Sequence, residues 1–110
     1  MLLPHDFEPA VARTFERHTA TGVREVRLAL SRPEPDPAPG GDWRCRLVIV
    51  GLPHPVDRYA YGIDGLQAFT LALHMAAADL RYAALPAGER LTFLGTPDLG
   101  LPAASAPAAT

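Results

Sequence analysis

The segment that decides the fold lies at residues 62–85 and reads GIDGLQAFTLALHMAAADLRYAAL. Asp64 is a favourable helix N-cap, because its carboxylate can accept hydrogen bonds from the free amides of the first turn. Gln67 follows three residues later and can reach back to the start of the helix, in an aspartate variant of the capping box. We therefore predict one long helix over residues 64–85, ending before Pro86.

Two apolar stripes run along this predicted helix. The first is roughly a hundred degrees wide and should pack on the core. It comprises Leu66, Phe69, Leu73, Ala76, Ala77, Leu80 and Ala84. The second lies on the opposite side and comprises Leu71, Met75 and Tyr82, with Ala68 and Ala78 beside them. A helix that is apolar on both sides is normally covered on both sides, so the second stripe predicts an interface. The alternative is that the strands curl around the helix and bury both stripes.

The rest of the chain has the alternation of apolar and polar residues that is typical of half-buried strands. Strands are predicted at residues 11–17, 24–30, 43–50, 58–62 and 91–95. Residues 31–42 contain four prolines at every second position, which removes backbone donors and predicts an exposed connection without a ladder. Together these elements predict an α+β fold, in which one long amphipathic helix packs on one face of an antiparallel sheet of four or five strands. We expect a single domain over residues 1–102 and a disordered tail over residues 103–110.

Length and charge restrict the classes of partner. The chain has 110 residues, enough for one domain, and a formal net charge of −2, which argues against the basic footprint of a nucleic-acid-binding protein. The longest apolar stretch, near Leu71, is interrupted by His74 and Asp79 and is too short to span a bilayer. We therefore expect neither a nucleic acid nor a membrane as partner.

Composition also predicts a setting for the chain. Its one cysteine, Cys45, cannot form an intramolecular disulfide, which fits a reducing compartment. The first residues lack the charged and apolar regions of a signal peptide, so we expect a cytoplasmic location. All ten basic residues are arginine, which indicates a GC-rich, bacterial genome.

The candidate reactive residues favour structural roles. Cys45 alternates in register with Trp43 and Leu47 on a strand, where a free cysteine is usually a buried small apolar residue rather than a nucleophile. The four histidines lack the spacing of a preformed metal site. Arg44 and Arg46 form a basic strip that we interpret as a solvated sheet face. The sequence thus predicts no catalytic residue, no cofactor and no metal.

Several motifs together resemble a family of small, uncharacterised bacterial proteins. That family combines a D-W-x-C strand, a G-[IV]-D-x-x-Q-A-[FL] helix start and a terminal L-x-[WF]-L-G segment. The matching residues are Asp42 to Cys45, Gly62 to Phe69 and Leu91 to Gly95, and the resemblance covers about residues 11–102. Phe93 stands where tryptophan is frequent, and Gly65 replaces the more usual serine. The resemblance implies the same architecture and carries no known activity.

Two functional hypotheses follow. The first is a non-enzymatic protein-interaction or accessory module, homodimeric through the second helix stripe. The alternative is a small-molecule-binding protein or minor enzyme with a site between sheet and helix, near Asp57, Tyr59 and Tyr61. A pocket of several hundred Å³ with convergent polar groups would favour the alternative, and an exposed stripe at Leu71 and Met75 would favour the interaction module.

Overall fold

A computed structural model describes residues 2–102, and the predicted tail at residues 103–110 lies outside the described residues. Within residues 2–102 the elements follow one another as six strands with one helix inserted before the last. They are β1 (Pro9–Thr19), β2 (Gly22–Ser31), β3 (Glu34–Pro35), β4 (Trp43–Val50), β5 (Val56–Gly62), α1 (Gly65–Arg81) and β6 (Arg90–Thr92). The predicted α+β fold with one helix on an antiparallel sheet is confirmed. A single domain over residues 1–102 stays a prediction.

The sheet is antiparallel throughout. Strand β4 lies between β5 on one side and β2 and β3 on the other, and β1 connects β2 to β6. Strands β2 and β4 pair antiparallel on either side of the proline-rich connection, with Leu28 of β2 opposite Ile49 of β4. Strand β5 therefore forms one edge of the sheet, and β6 forms the other together with residues 9–15 of β1, which β6 does not pair. The two-residue β3 adds a short edge on the β2 side of β4.

The prediction that no ladder forms in the proline-rich connection is wrong for two residues. Glu34 and Pro35 pair with Arg44 and Trp43, and the amide of Asp36 continues the pairing by donating to the carbonyl of Asp42. Prolines at every second position all face the same way, so the intervening amides remain free to face β4. Proline is tolerated on such an edge strand, and with it the sheet has six strands where four or five were expected.

The main core lies between the sheet and α1. Phe15, Leu30, Leu47 and Ile49 are among its fully buried side chains. Strand β4 is also apolar on its other face, because the irregular segment before β1 places Phe7 against Val48 and Val50 there. Two small cores on opposite faces explain why the second half of β4 is buried at every position.

Helix α1 is shorter than predicted. It ends at Arg81, and Tyr82 is the C-cap, whose amide donates to the carbonyl of Ala78. Its buried face is lined by small residues, mainly alanine: the buried positions are Ala68, Ala72, Ala76, Ala77 and Leu80. Ala68 therefore belongs to the core rather than beside the second stripe, and Ala84 lies beyond the helix.

Leu66 was predicted to lie on the core stripe and is instead 76% exposed. At 100° per residue it lies about 80° from Ala76, the centre of the buried face, and it is in the first turn.

None of the helices within residues 2–102 is long and apolar enough to cross a membrane.

Candidate interaction surface

The start of α1 is locked onto the end of β5 by backbone proximity. A Cβ atom on Gly62 would lie 2.5 Å from the amide nitrogen of Ala68, so only glycine allows the strand to approach the helix this closely. Asp64 is the N-cap, as predicted, and its Oδ1 accepts from the amide of Gln67 at 2.8 Å. The side-chain oxygen of Gln67 in turn accepts from the amide of Ile63 at 2.7 Å. These contacts fix where the helix begins relative to the strand.

Two further contacts fix the rotation of α1 about its axis. Leu73 lines a groove with Leu28 and Leu30 of β2 and therefore faces the centre of the sheet. Asp79 lies on the other flank and accepts two hydrogen bonds, at 2.7 and 2.8 Å, from the guanidinium of Arg58 in β5. At 100° per residue, the flank beyond Asp79 faces away from β2 and towards the outer edge of β5.

That outward flank carries the predicted interface residues. Leu71 is 42% exposed and Tyr82 is 73% exposed, so the second stripe reaches the surface at both ends. Met75, between them, is half-buried and packs against the main core. All three residues thus lie on one flank of the helix, but Met75 also contributes to the packing of the core.

An open groove of about 650 Å³ adjoins this flank at the start of the helix. Its apolar walls are Tyr61, Ile63, Leu66 and Leu71, and we call these four residues the groove cluster. Each is exposed, Ile63 at 75% and Tyr61 at 49%. The polar residues that line the groove are Asp64, Gln67, Thr70 and His74.

Helix periodicity could not find the first three members of this cluster. Tyr61 and Ile63 precede the helix, and Leu66 was predicted to lie on the first stripe and pack on the core. One sequence signal could have found Ile63: it is a large apolar residue directly before the N-cap, where the chain turns from strand to helix.

Beside the outward flank runs the edge of the sheet. Within residues 2–102, β5 pairs with β4 alone, which leaves its outer row of backbone groups without a strand partner. This edge is seven residues long. A free strand edge is a template for pairing with another chain, so β5 and the flank of α1 form one continuous candidate surface. We call this combination the β5 surface.

The three residues of the alternative hypothesis lie on β5 but do not enclose a site between sheet and helix. Asp57, Tyr59 and Tyr61 alternate with the β5 residues that face the helix, and so they point to the opposite face of the sheet. Arg46 binds Asp57 through two hydrogen bonds of 2.8 and 2.7 Å, and the guanidinium of Arg44 lies 4.4 Å from the ring centre of Tyr59. The hydrogen bonds from Arg46 lower the pKa of Asp57, which suits a structural ion pair more than a proton donor.

The two arginines form an ion-paired network rather than a free basic strip. Arg44 also donates to Glu34 at 2.8 Å, and Arg46 lies near Asp6 as well. Their positive charge is therefore largely compensated within the chain.

The space between sheet and helix is mostly filled by the core. A groove of about 220 Å³ opens at its margin, smaller than the roughly 300 Å³ at which ligand sites begin. Its lining is aliphatic apart from Arg13, whose guanidinium already donates to the carbonyls of Leu99 and Gly100. These lining residues give the small-molecule hypothesis little support.

The reactive side chains have structural surroundings. Cys45 is buried, its thiol donates to the carbonyl of Ser31 at 3.3 Å, and burial raises the pKa of the thiol above its usual value. His18 binds Thr92, and His5 and His54 are exposed. Across the described residues, no three histidine, cysteine, aspartate or glutamate side chains are grouped closely enough to hold a metal ion.

The opposite edge of the sheet contains a polar cluster that the sequence did not reveal. The hydroxyl of Thr92 donates its hydrogen to Glu16 at 2.6 Å. Because that hydrogen is used, the hydroxyl oxygen accepts from Nε2 of His18 at 2.8 Å. Glu16 also accepts from the amides of Leu94 and Gly95. These hydrogen bonds lower the pKa of Glu16, and the bond from Thr92 has the largest effect. We call Glu16, His18 and Thr92 the β6 clamp.

The turn held by this clamp has both central residues at positive φ, 52° for Leu94 and 82° for Gly95. Phe93 and Thr96 exchange backbone hydrogen bonds across it, as in a tight hairpin. Phe93 itself packs on Phe15 and lies under the guanidinium of Arg13. The terminal L-x-[WF]-L-G segment thus forms a turn with an anchored aromatic residue.

Comparison with known proteins places the chain in a family. The family described as a domain of unknown function, DUF6968, matches residues 11–103. The chain belongs to this family. The resemblance to an uncharacterised family is thereby confirmed at that level. Neither a curated protein nor a solved structure matches the chain.

Proposed function

We propose that this domain is a non-enzymatic protein-interaction module and that it binds its partner through the β5 surface. The observation that carries the proposal is the coincidence of a free seven-residue strand edge with exposed apolar side chains. Pairing along a strand edge supplies backbone hydrogen bonds, and apolar neighbours supply buried area. The β5 surface offers both on one side of the molecule.

The charges of β5 do not oppose such pairing. Proteins commonly protect an exposed edge with charged side chains or proline, and β5 contains only two charged residues and no proline. Asp57 is bound by Arg46 on one face, and Arg58 is bound to Asp79 of α1 on the other. Both charges are compensated within the chain, so the cost of bringing a second strand against this edge is small.

The residues of the β5 surface can be explained without a catalytic or ligand-binding role. The residues in and around the groove that bear polar groups include Asp64 and Gln67, which already serve the helix start. The apolar residues Ile63 and Leu66 have no comparable task in the core, since both are about three-quarters exposed. Apolar residues grouped at a surface are typical of protein contacts.

A photo-crosslinking residue in place of Leu71 tests the proposal in cells of the native host. We expect covalent adducts from this position and none from a matched position at Val23, which is equally apolar, 61% exposed and located in the β1–β2 hairpin. The mass of the adduct reports the partner. Absence of any adduct at Leu71, or equal adducts at both positions, would contradict the proposal.

We further infer a bacterial, cytoplasmic setting for this module. The exclusive use of arginine among the basic residues supports the first, and the single buried thiol of Cys45 supports the second.

A further inference from the structure

We propose that the partner on the β5 surface is a second copy of this chain, related by a two-fold axis at Tyr59, with β5 pairing antiparallel to its own copy. The inference rests on the proposed function, because it requires the β5 surface to be an interaction surface. It adds the identity of the partner, the register of the strands and the position of the axis.

The strand itself is suited to self-pairing. Residues 56–62 are centred on Tyr59, so an antiparallel pair about that residue places Tyr59 opposite Tyr59 of the second copy. Asp57 then faces Tyr61, and Arg58 faces Ala60. Like charges never lie directly opposite each other, and an aromatic pair occupies the centre, which is a favourable cross-strand pair.

The outward flank of α1 has the same symmetry. Its residues Leu71, Met75, Ala78 and Tyr82 are spaced evenly about the midpoint between Ala76 and Ala77. An antiparallel copy of the helix therefore brings Leu71 opposite Tyr82 and Met75 opposite Ala78. Large side chains meet large ones at the ends, and Met75 meets the small Ala78 near the axis.

The two midpoints lie at the same place in the molecule. The end of β5 is fixed at Ala68 by the close approach of Gly62, and Arg58 is fixed at Asp79 by its hydrogen bonds. Between these two contacts, four residues of strand run beside eleven residues of helix, and interpolation along them places Tyr59 near Ala76. A single axis therefore serves both the strand pair and the helix pair.

This coincidence favours a second copy over a different protein. An isologous interface must be complementary to itself about one axis, and a surface selected for another partner has no such requirement. The product is a continuous twelve-stranded sheet with two helices side by side on one face, twice the six strands of one copy.

Disulfide trapping tests the register. Directly opposed residues of an antiparallel pair have Cα atoms about 4.5–5.5 Å apart, within the range of a disulfide. We expect Tyr59→Cys to form a covalent dimer under mild oxidation. Asp57→Cys alone should not, because its copy lies four residues, or about 13 Å, along the strand. The double variant Asp57→Cys with Tyr61→Cys should again form the dimer. The native Cys45 is buried and should not contribute.

Light scattering after size exclusion tests the helix pair. We expect the native chain to be a dimer and Leu71→Glu to raise its dissociation constant at least about tenfold, because a charge is then buried against an apolar partner. Val23→Glu is the matched control and should leave the dimer unchanged. Circular dichroism establishes that each variant is folded, and the trapping result remains decisive if Leu71→Glu is not.

The outcomes separate the two proposals. A strictly monomeric chain that gives adducts to a different protein at position 71 overturns self-pairing and leaves the interaction module standing. A monomeric chain without adducts overturns both. A dimer in which Asp57→Cys traps alone, and Tyr59→Cys does not, overturns the proposed register and axis.

Discussion

The two edges of this sheet are treated differently by the chain. At one edge, β6 is three residues long and leads at once into a tight turn whose amides donate to Glu16. At the other edge, β5 extends for seven residues with its outer backbone groups without a strand partner among the described residues. These hydrogen bonds hold the turn after β6 against β1, whereas β5 is left open beside an apolar helix flank.

This difference favours β5 over β6 as the strand to which we propose that a partner adds. A short strand followed by a turn gives another strand little length to pair with, whereas a seven-residue edge gives several hydrogen bonds. On the β6 side, hydrogen bonds join the polar side chains of Glu16, His18 and Thr92. On the β5 side it leaves Tyr61, Ile63 and Leu71 exposed.

The largest effect is expected where β5 meets α1. Gly62→Ala places a Cβ against the amide of Ala68, and overpacking of this kind costs about 1–3 kcal/mol of unfolding free energy or more. Gly65→Ala is the control, because its Cβ would meet side-chain atoms rather than backbone, those of Trp43 at 3.3 Å and of Pro33 at 3.4 Å. Denaturant unfolding followed by the fluorescence of Trp43, the single tryptophan, measures both. Equal stability of the two variants would contradict the close approach at Gly62.

A smaller effect is expected in the β6 clamp. Thr92→Val keeps the shape but removes the hydroxyl that joins Glu16 to His18, at a cost of about 1–2 kcal/mol. Thr14→Val, an exposed position on β1, should change stability by less than about 0.5 kcal/mol. Hydrogen exchange should show faster opening of β6 with β5 unaffected. Faster exchange at β5 as well would mean that the two edges are coupled.

Loss of the helix cap is expected to cost about 1 kcal/mol. Asp64→Ala removes the acceptor of the Gln67 amide, whereas Asp64→Asn retains one. Thermal unfolding of both variants gives the comparison, and the alanine variant should have the lower Tm. If the asparagine variant is equally destabilised, the charge of Asp64 rather than its hydrogen bond supports the helix.

The smallest effect is the part of the pH dependence of stability that comes from Glu16 on the β6 side. Hydrogen bonds hold the pKa of Glu16 below its ordinary value, so its carboxylate stabilises the fold at neutral pH and loses that contribution as the pH falls below that value. Between about pH 6 and about pH 3, the Tm of the native chain should therefore fall further than that of Glu16→Gln. Parallel curves for the two proteins would show that Glu16 contributes nothing through its charge.

The fold class was accessible from sequence because its signals are local and repeated. Alternation in residues 43–50 and the Asp64 cap each indicate their element without knowledge of the rest of the chain. The two-residue strand at Glu34 was missed because the number of prolines does not show on which side of the strand the missing amide donors lie. The end of the helix was missed because apolar residues continue to Leu85 after the backbone leaves the helical conformation at Tyr82.

The candidate site was only partly accessible. The spacing of the second stripe places Leu71 and Tyr82 on one flank of the helix, where both are exposed, and an interface on that flank stays a prediction. The open edge of β5 could not be foreseen, since strand order depends on contacts between distant segments that no local pattern records. The same is true of the β6 clamp, where Glu16 and Thr92 are 76 residues apart in sequence.

The face that α1 turns to the sheet consists largely of alanine, at Ala68, Ala72, Ala76 and Ala77. An alanine side chain has no rotamers to lose, so ordering these positions costs no side-chain entropy when the helix docks. Each alanine also keeps the helix backbone near the strands, where no long side chain can adjust to a change in distance. The helix and β5 should therefore move as one rigid body, and a strand added at the edge would meet a surface that is already in its bound shape.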